Sequence, residues 1–368
     1  MRRLGRWALS RRGLLLGSAT MGLLPGVVDP RSLGAAAQST GGGVVPGARE
    51  IPARPLPVPD TVSQALKPAV AAPLPAGWDR VPSDAAGWRA LAEASGAHAG
   101  PALEAVRTRL GVTLERTVLG GVPVFVSTPT DMPEARRGRV LMHLHGGGYV
   151  LYPGEVGAGE GMMMAGYGRY TVVSVDYRMA PDHPFPAALD DAIAVWTALL
   201  ATNRPERMAI FGTSAGGGLT LATLLRARQQ GLPLPAAIAP GSPWADLTRT
   251  GDTLFANALV DNVLGSMDGW VGAAALLYAG GRDLRDPLIS PINGDFSGFP
   301  PAILTSGTRD LLLSDTVRTH RKLRQAGVEA ALQVFEAQSH AQFLKPFTPE
   351  TEEAFAEIAR FLERHLAG

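Results

Sequence analysis

Five residues, Gly212-Thr213-Ser214-Ala215-Gly216, fit the pattern G-x-S-x-G. An apolar stretch precedes them and a helix-like stretch follows. A serine on a sharp strand-to-helix turn can present its hydroxyl as a nucleophile when small residues flank it. Gly212 and Gly216 leave that room. The helix starting there adds N–H groups and partial positive charge where an oxyanion would form. A second run, His143-Leu144-His145-Gly146-Gly147-Gly148-Tyr149, ends an apolar segment. Three successive glycines cost backbone entropy, which makes sense where main-chain N–H groups must approach a ligand closely. The amides of Gly147, Gly148 and Ala215 are candidate donors to that oxyanion, and Gly146 would let the loop turn. Read without chemistry, the two runs are a glycine-rich strand–helix turn and a flexible glycine linker.

Elements on either side must position these groups. Trp88, Leu91, Leu103, Val106 and Leu110 recur at helical spacing. Residues 112–119 and 122–128, joined by Gly120-Gly121, read as a β-hairpin. Buried-strand patterns cover 139–144, 170–176, 207–211, 236–240, 302–306 and 330–335. Helical patterns cover 187–202, 219–230, 316–326 (ended by Gly327) and 350–366. Strands alternating with helices of this length predict an α/β fold whose sheet is covered on both faces. Functional groups then belong at the carboxyl ends of strands. Residues 247–284 interrupt the alternation with helix-like apolar spacing and are a candidate cap element. The helical stretch before the first strand could cover a site formed later in the chain.

Further segments extend the pattern. Val175-Asp176-Tyr177-Arg178-Met179-Ala180-Pro181-Asp182-His183-Pro184-Phe185-Pro186-Ala187-Ala188 resembles a DYRLAPEHPFPAA segment, and Asp286-Pro287-Leu288-Ile289-Ser290-Pro291 resembles DPLxSP. With HGGGY and GTSAGG, the chain resembles the hormone-sensitive-lipase-like (bacterial family IV) esterases of the α/β-hydrolase superfamily, over about residues 84–366. The resemblance implies an α/β-hydrolase fold, with a mostly parallel central sheet flanked by helices. Its helical cap would be built from about 84–110 and 245–285. It implies a serine carboxylic-ester hydrolase acting on short- to medium-chain acyl esters through an acyl-enzyme, with no metal or organic cofactor. One departure is Thr213, where many members carry aspartate; it bears on substrate preference more than on catalysis.

In that superfamily the chain order is serine, acid, histidine. His98, His143, His145 and His183 precede Ser214, and His320 and His365 fall in helical patterns. His340 follows a buried strand and precedes the last helix, where the family carries its catalytic histidine. Its role would be to take the Ser214 proton and return it to the leaving alcohol. Asp310, just past the strand pattern at 302–306, matches the family's acid and would orient His340. Asp315 is the runner-up, more plausible as a cap of the following helix. His145, Gly146, Gly212 and Gly216 would support the site. Asp190-Asp191 reads as a solvated helix start. His143 and His145 read as structural hydrogen-bonding groups, not metal ligands. Asp176, Tyr177 and Arg178 read as a scaffold beneath the glycine loop, and Met162-Met163-Met164 as core more than acyl site.

Composition narrows the classes. Net charge is +1 in 368 residues, so the electrostatic footprint of a nucleic-acid binder is lacking. No cysteine is present, which excludes disulfides and thiolate chemistry. A basic stretch followed by a short apolar run at residues 13–28 reads as a signal peptide, since a spanning helix needs about 20 apolar residues. Ser10-Arg11-Arg12-Gly13-Leu14-Leu15 resembles a twin-arginine export signal, and Ala35-Ala36-Ala37 offers a cleavage point. The expected organisation is a signal at 1–37, a proline/glycine-rich linker or surface arm at 38–83 and a hydrolase domain at 84–368. The mature protein would be periplasmic or secreted, with a small-molecule ester substrate, no nucleic acid and no stable membrane insertion after cleavage; oligomeric state is left open. The competing readings are a catalytically silent α/β-hydrolase fold that binds ligands, and an enzyme for acetylated carbohydrate or lactone substrates.

Overall fold

A computed structural model describes residues 48–367. The expected signal, residues 1–37, lies outside the described residues. The chain divides into two units after Arg54. In the first, residues 48–54 are exposed and form no regular element. The second holds the rest.

Its opening arm contains one short helix, α1 (Lys67–Val70). The arm is not a free linker. Val62, Leu66 and Val70 are buried together with Ala337, and Ser63 donates to Glu350 through its N–H (2.8 Å) and its hydroxyl (2.7 Å). The dense prolines of this stretch prevent regular structure, but the apolar residues between them still find a surface. Next comes α2 (Ala85–Arg109), where Asp84 caps the first turn by accepting from the Gly87 N–H at 2.8 Å.

The body alternates as its hydrophobic pattern requires: β1 (Val112–Leu119), β2 (Val122–Pro129), β3 (Val140–Leu144), α3 (Gly159–Gly168), β4 (Thr171–Val175), α4 (Ala187–Leu200), β5 (Met208–Thr213), α5 (Ala215–Gln229), β6 (Ala237–Gly241), α6 (Thr253–Ala256), α7 (Trp270–Ala279), β7 (Ala302–Gly307), α8 (Leu313–Gln325), β8 (Ala330–Phe335) and α9 (Pro349–His365). The eight strands form one sheet in the order β1-β2-β4-β3-β5-β6-β7-β8. The β1–β2 and β2–β4 pairs are antiparallel; all others are parallel. Every residue of β5, β6 and β7 is buried, as expected for central parallel strands with helices on both faces. Neighbouring residues point to opposite faces. Leu141, Phe211 and Ile303 pack with Met162 and Met164 of α3 and with Phe355 of α9. Met142, Ile210 and Leu304 pack with Trp196 of α4, Leu221 of α5 and Leu323 of α8. The methionine run is therefore core.

Two differences from the sequence reading concern helices. The run at 247–284 is helical only in α6 and α7, because glycines break it: Gly265 has φ +72°, and a β-carbon at Gly269 would lie 2.0 Å from the Trp78 carbonyl oxygen. Its apolar residues Leu264, Met267 and Val271 instead join the main core. Residues 159–168 form α3, which the periodicity did not indicate. Trp88 of α2 and Ala274 of α7 are buried with Val150 and Leu151, directly after the triple glycine. Among the described residues no helix is long and apolar enough to cross a membrane.

The turn from β5 into α5 admits no side chain at its glycines. Alanine in a helix is favoured over glycine by about 1 kcal/mol, yet a β-carbon at Gly216 would lie 1.9 Å from the Leu144 carbonyl oxygen. Gly216→Ala is expected to lose about 1–3 kcal/mol of unfolding stability through this overpacking, read as a fall in the urea midpoint. A midpoint at or above that of the parent would contradict the contact.

Candidate active site

Ser214 occupies the single-residue turn between β5 and α5, with φ 63° and ψ −123°. A positive φ in a non-glycine residue is a strained state that its surroundings must hold. Here the Ser214 N–H donates to the Gly241 carbonyl (2.9 Å), and the Ser214 carbonyl accepts from the N–H groups of Gly218 (3.0 Å) and Trp244 (2.9 Å). Gly212 and Gly216 flank it where β-carbons would lie 2.0 and 1.9 Å from the Leu144 oxygen.

The glycine loop lies against this turn. A β-carbon at Gly146 would stand 2.9 Å from the Thr213 carbonyl oxygen and 3.3 Å from the Ser214 β-carbon. Gly146 was expected to let the loop turn, but its φ is not positive; the turn comes at Gly147 (φ +106°) and Gly148 (φ +63°). Gly146 is needed for close approach instead. The Gly147 carbonyl accepts from the N–H groups of Val150 and Leu151. Among the described residues the N–H groups of Gly147 and Gly148 have no main-chain acceptor.

The histidines of the loop are structural. His145 is buried and stacks on Tyr177 with ring centroids 4.1 Å apart. Its Nδ1 donates to the Gly146 carbonyl (2.7 Å), and its own carbonyl accepts from the Tyr177 hydroxyl (2.7 Å). Burial pulls its pKa down to about 4, so the ring is neutral. His143 pairs Nε2 with Glu160 (3.2 Å) and Nδ1 with the Ser174 hydroxyl (3.0 Å). Asp176 accepts from the Gly154 N–H (2.7 Å), so residues 176–177 brace the loop from below, as the sequence suggested.

Asp310 lies just past β7 and is fully buried. Its Oδ1 accepts from His340 Nδ1 (3.0 Å) and the Leu312 N–H (2.8 Å); its Oδ2 accepts from the hydroxyls of Ser242 (2.5 Å) and Ser306 (2.7 Å). Burial opposes the charge, but His340 and the two serines outweigh it and hold the carboxyl below its usual pKa. For His340, burial favours the neutral ring, while the Asp310 carboxylate and its hydrogen bond, with Asp261, outweigh that and raise the pKa. Ser214, His340 and residues 146–148 line one cavity of about 230 Å³. Among the described residues neither the Ser214 hydroxyl nor His340 Nε2 has a hydrogen-bond partner. Apolar walls come from Leu151, Trp244, Leu264, Trp270 and Val271.

Two expectations need correction. Asp191 is not at a solvated helix start: it is buried and accepts from the Arg178 N–H (2.8 Å) and from its guanidinium (2.8 Å). Asp190 beside it stays exposed. Asp315 does not cap α8, whose N-cap is Leu312. It is fully buried within the first turn, where Oδ2 accepts from the N–H groups of Ala245 (3.1 Å) and Asp246 (2.9 Å). It takes no part in the histidine pair. Among the described residues, the one acidic residue of the cavity lining escaped the sequence reading, as did the cavity's apolar walls. Glu160 of α3 lines the cavity and accepts from the Thr213 hydroxyl at 2.7 Å. The unusual threonine at 213 was the available signal, but nothing local to residue 160 pointed to it.

Residues 141–344 match the family model described as the alpha/beta hydrolase fold. The chain is 33% identical to an acetyl-hydrolase of Streptomyces hygroscopicus over 232 residues, 62% of this chain and 77% of the relative. It is 32% identical to an esterase of Acinetobacter venetianus over 232 residues, 62% of this chain and 76% of the relative. Among solved structures, an esterase superposes with TM-score 0.84 at 40% identity, covering 87% of this chain and 99% of the other. A second, an esterase of the bacterial hormone-sensitive lipase family, superposes with TM-score 0.66 at 34% identity, covering 72% and 91%.

Asp315 generates a pH prediction. Burial, then the nearby Asp246, raise its pKa to about 8; Oδ1 has no hydrogen-bond partner, and Arg318 at 3.8 Å is too far to supply one. The folded state therefore keeps a proton that the unfolded chain releases near pH 4, and stability falls as pH rises from about 4 to about 8. Asp315→Asn cannot ionise and keeps an acceptor for the two N–H groups. Between pH 5 and pH 9 its melting temperature should fall less than the parent's. The gap at pH 9 should be on the order of 5 kcal/mol or less. Parallel pH profiles would refute the burial argument.

Proposed function

Since the chain belongs to the α/β-hydrolase family, on its hormone-sensitive-lipase-like branch, and is a carboxylic ester hydrolase, we propose that Ser214, His340 and Asp310 are its catalytic triad. His340 Nε2 takes the hydroxyl proton as Ser214 Oγ attacks the ester carbonyl. The tetrahedral oxyanion accepts from the N–H groups of Gly147, Gly148 and Ala215, aimed in advance at the developing charge. Its collapse breaks the bond to the alcohol oxygen, which leaves with the proton from His340. Water then gives a proton to His340, attacks the acyl carbon and releases the acid, and the proton returns to Ser214. Asp310 holds the Nδ1–H tautomer and stabilises the imidazolium. Substrates are short- to medium-chain acyl esters, a reading supported by the small, apolar-walled cavity.

The observation that carries this reading is the buried Asp310–His340 hydrogen bond beside a cavity that Ser214 and the glycine loop also line. Ser214→Ala should cut kcat on p-nitrophenyl acetate by about 10⁴-fold or more, and should abolish labelling by a fluorophosphonate. Parent-level turnover in that variant would end the assignment. We further propose export through the signal at residues 1–37. Replacing Arg11-Arg12 with a lysine pair should leave the activity in the cytoplasmic fraction; unchanged fractionation would refute this.

A further inference from the structure

The loop between α6 and α7 carries a fully buried aspartate, Asp261, that the triad chemistry above does not use. Its Oδ1 closes its own turn, accepting from the N–H groups of Val263 (2.8 Å) and Leu264 (3.0 Å). Its Oδ2 reaches two other segments, accepting from the N–H groups of Leu311 (2.8 Å) and His340 (3.1 Å). One oxygen thus bridges the residue after Asp310 and the histidine itself. We infer that Asp261 is a positioning residue for the hydrolytic reaction: its carboxylate clamps the loops of Asp310 and His340 to one another and keeps a second negative charge close to the imidazole. The inference rests on the triad reading.

Neighbouring residues act in the same sense. Asn257 Nδ2 donates to the carbonyls of Asp310 (2.9 Å) and Thr308 (3.3 Å). The Thr253 hydroxyl donates to the Leu311 carbonyl (2.9 Å). The Asn262 N–H donates to the Ser339 hydroxyl (3.1 Å), and Gln342 donates to Asn262 Oδ1 (2.9 Å). Residues 253–262 therefore grip the main chain on both sides of the Asp310–His340 bond. That bond spans two loops that leave the neighbouring strands β7 and β8 and already touch, the Thr308 N–H donating to the Phe335 carbonyl (2.9 Å) and the Arg309 N–H to the Gln338 carbonyl (3.0 Å). Those links stop short of residues 310 and 340, where Asp261 adds its own. A misplacement of about 1 Å can cost a hundredfold in rate, so a third segment bonded to both loops is a way to fix it.

The donor set demands a carboxylate. Asp261 faces four N–H donors, and a protonated carboxyl or an amide would turn a donor toward at least one of them. Burial and the Asp310 charge raise its pKa above the usual carboxylate value, against the pull of His340 and the N–H groups of Leu264 and Leu311; the case for the carboxylate is the four-donor geometry. The ionisable groups facing His340 are Asp310 and Asp261. Their charges act together on the imidazolium that forms when Ser214 loses its proton.

Asp261→Asn is isosteric but neutral, and presents an amide N–H where two N–H groups already point. On p-nitrophenyl acetate, kcat should fall roughly tenfold to a hundredfold with KM within about threefold. The acid limb of kcat/KM should move to lower pH, because the imidazolium loses one of its two carboxylate neighbours. A purely structural role would not move that limb. Asp261→Glu keeps the charge and should keep the limb at the parent's pH even where kcat falls. An unchanged kcat, or an unmoved limb in folded Asp261→Asn, overturns the inference. Should that variant not fold, Asn257→Ala decides: a fall in kcat at retained KM supports the clamp, and parent-level kcat overturns it. Parent activity that survives His340→Ala would instead sink the triad reading itself, so the two failures are distinguishable.

Discussion

One main-chain oxygen, that of Leu144, determines how the Ser214 turn and the glycine loop meet. It ends β3 and lies within 2.0 Å of where β-carbons at Gly212 and Gly216 would stand. Because those atoms are absent, the end of β3 drops into the β5–α5 turn, and the following loop lies on Thr213 and Ser214. A main-chain donor can serve a reacting oxygen only if its loop comes this near the nucleophile. Any side chain at 212, 216 or 146 would lift the loop away. The positive φ of Ser214, worth about 1–3 kcal/mol of strain, survives because hydrogen bonds from Gly218 and Trp244 and to Gly241 hold the peptide on both sides.

A second constraint sorts the buried acids. Asp310 accepts from a ring nitrogen, an N–H and two hydroxyls, and is held in its charged form. Asp315, equally buried, has two N–H donors on one oxygen and none on the other, and its pKa rises to about 8. Burial is the same; Asp310 has four donors beside it, the His340 ring among them, whereas Asp315 has two donors and the nearby Asp246 charge. His145 is the basic counterpart. Its Nε2 is buried with no partner, so the ring stays neutral and serves as a flat surface for Tyr177. At Asp310 the charge is held against burial by His340 together with the converging donors.

The central strands were legible because parallel strands buried on both faces read as continuous apolar runs, and the edge strand β1 because Gly120-Gly121 marks its hairpin turn into β2. The patterns at 112–119 and 330–335 coincide with β1 and β8. The central strands differ only at their ends. Ser214, the glycine loop, Asp310 and His340 were legible because their spacing follows local rules or a family pattern. Relations between distant segments were not. Asp191 looked like a helix-start acid because charge at that position is common, and only the fold brings Arg178 onto it. Asp315 looked like a cap for the same reason. Residues 55–83 looked like a linker because prolines dominate them. What docks them is a handful of apolar residues, Val62, Leu66 and Val70, with no periodicity to announce them. The broken run at 247–284 misled in the opposite direction, since apolar spacing alone does not distinguish a helix from turns that share a core.

Thr213 shows how a departure from a motif can be explained in space. An aspartate there would bring a second carboxylate to Glu160 Oε1, which now lies 2.7 Å from the threonine hydroxyl. Two carboxylates that close must share a proton. Threonine donates instead, and the other Glu160 oxygen pairs with His143 Nε2. With Nε2 donating, Nδ1 accepts from Ser174, so the carboxylate on the cavity wall is tied through His143 into β4. The hydroxyl at 213 and the acid at 160 therefore form one unit, placed by β5 and α3 from opposite sides. Among the described residues that line the cavity, Glu160 is the single carboxylate beside Ser214, the proposed nucleophile.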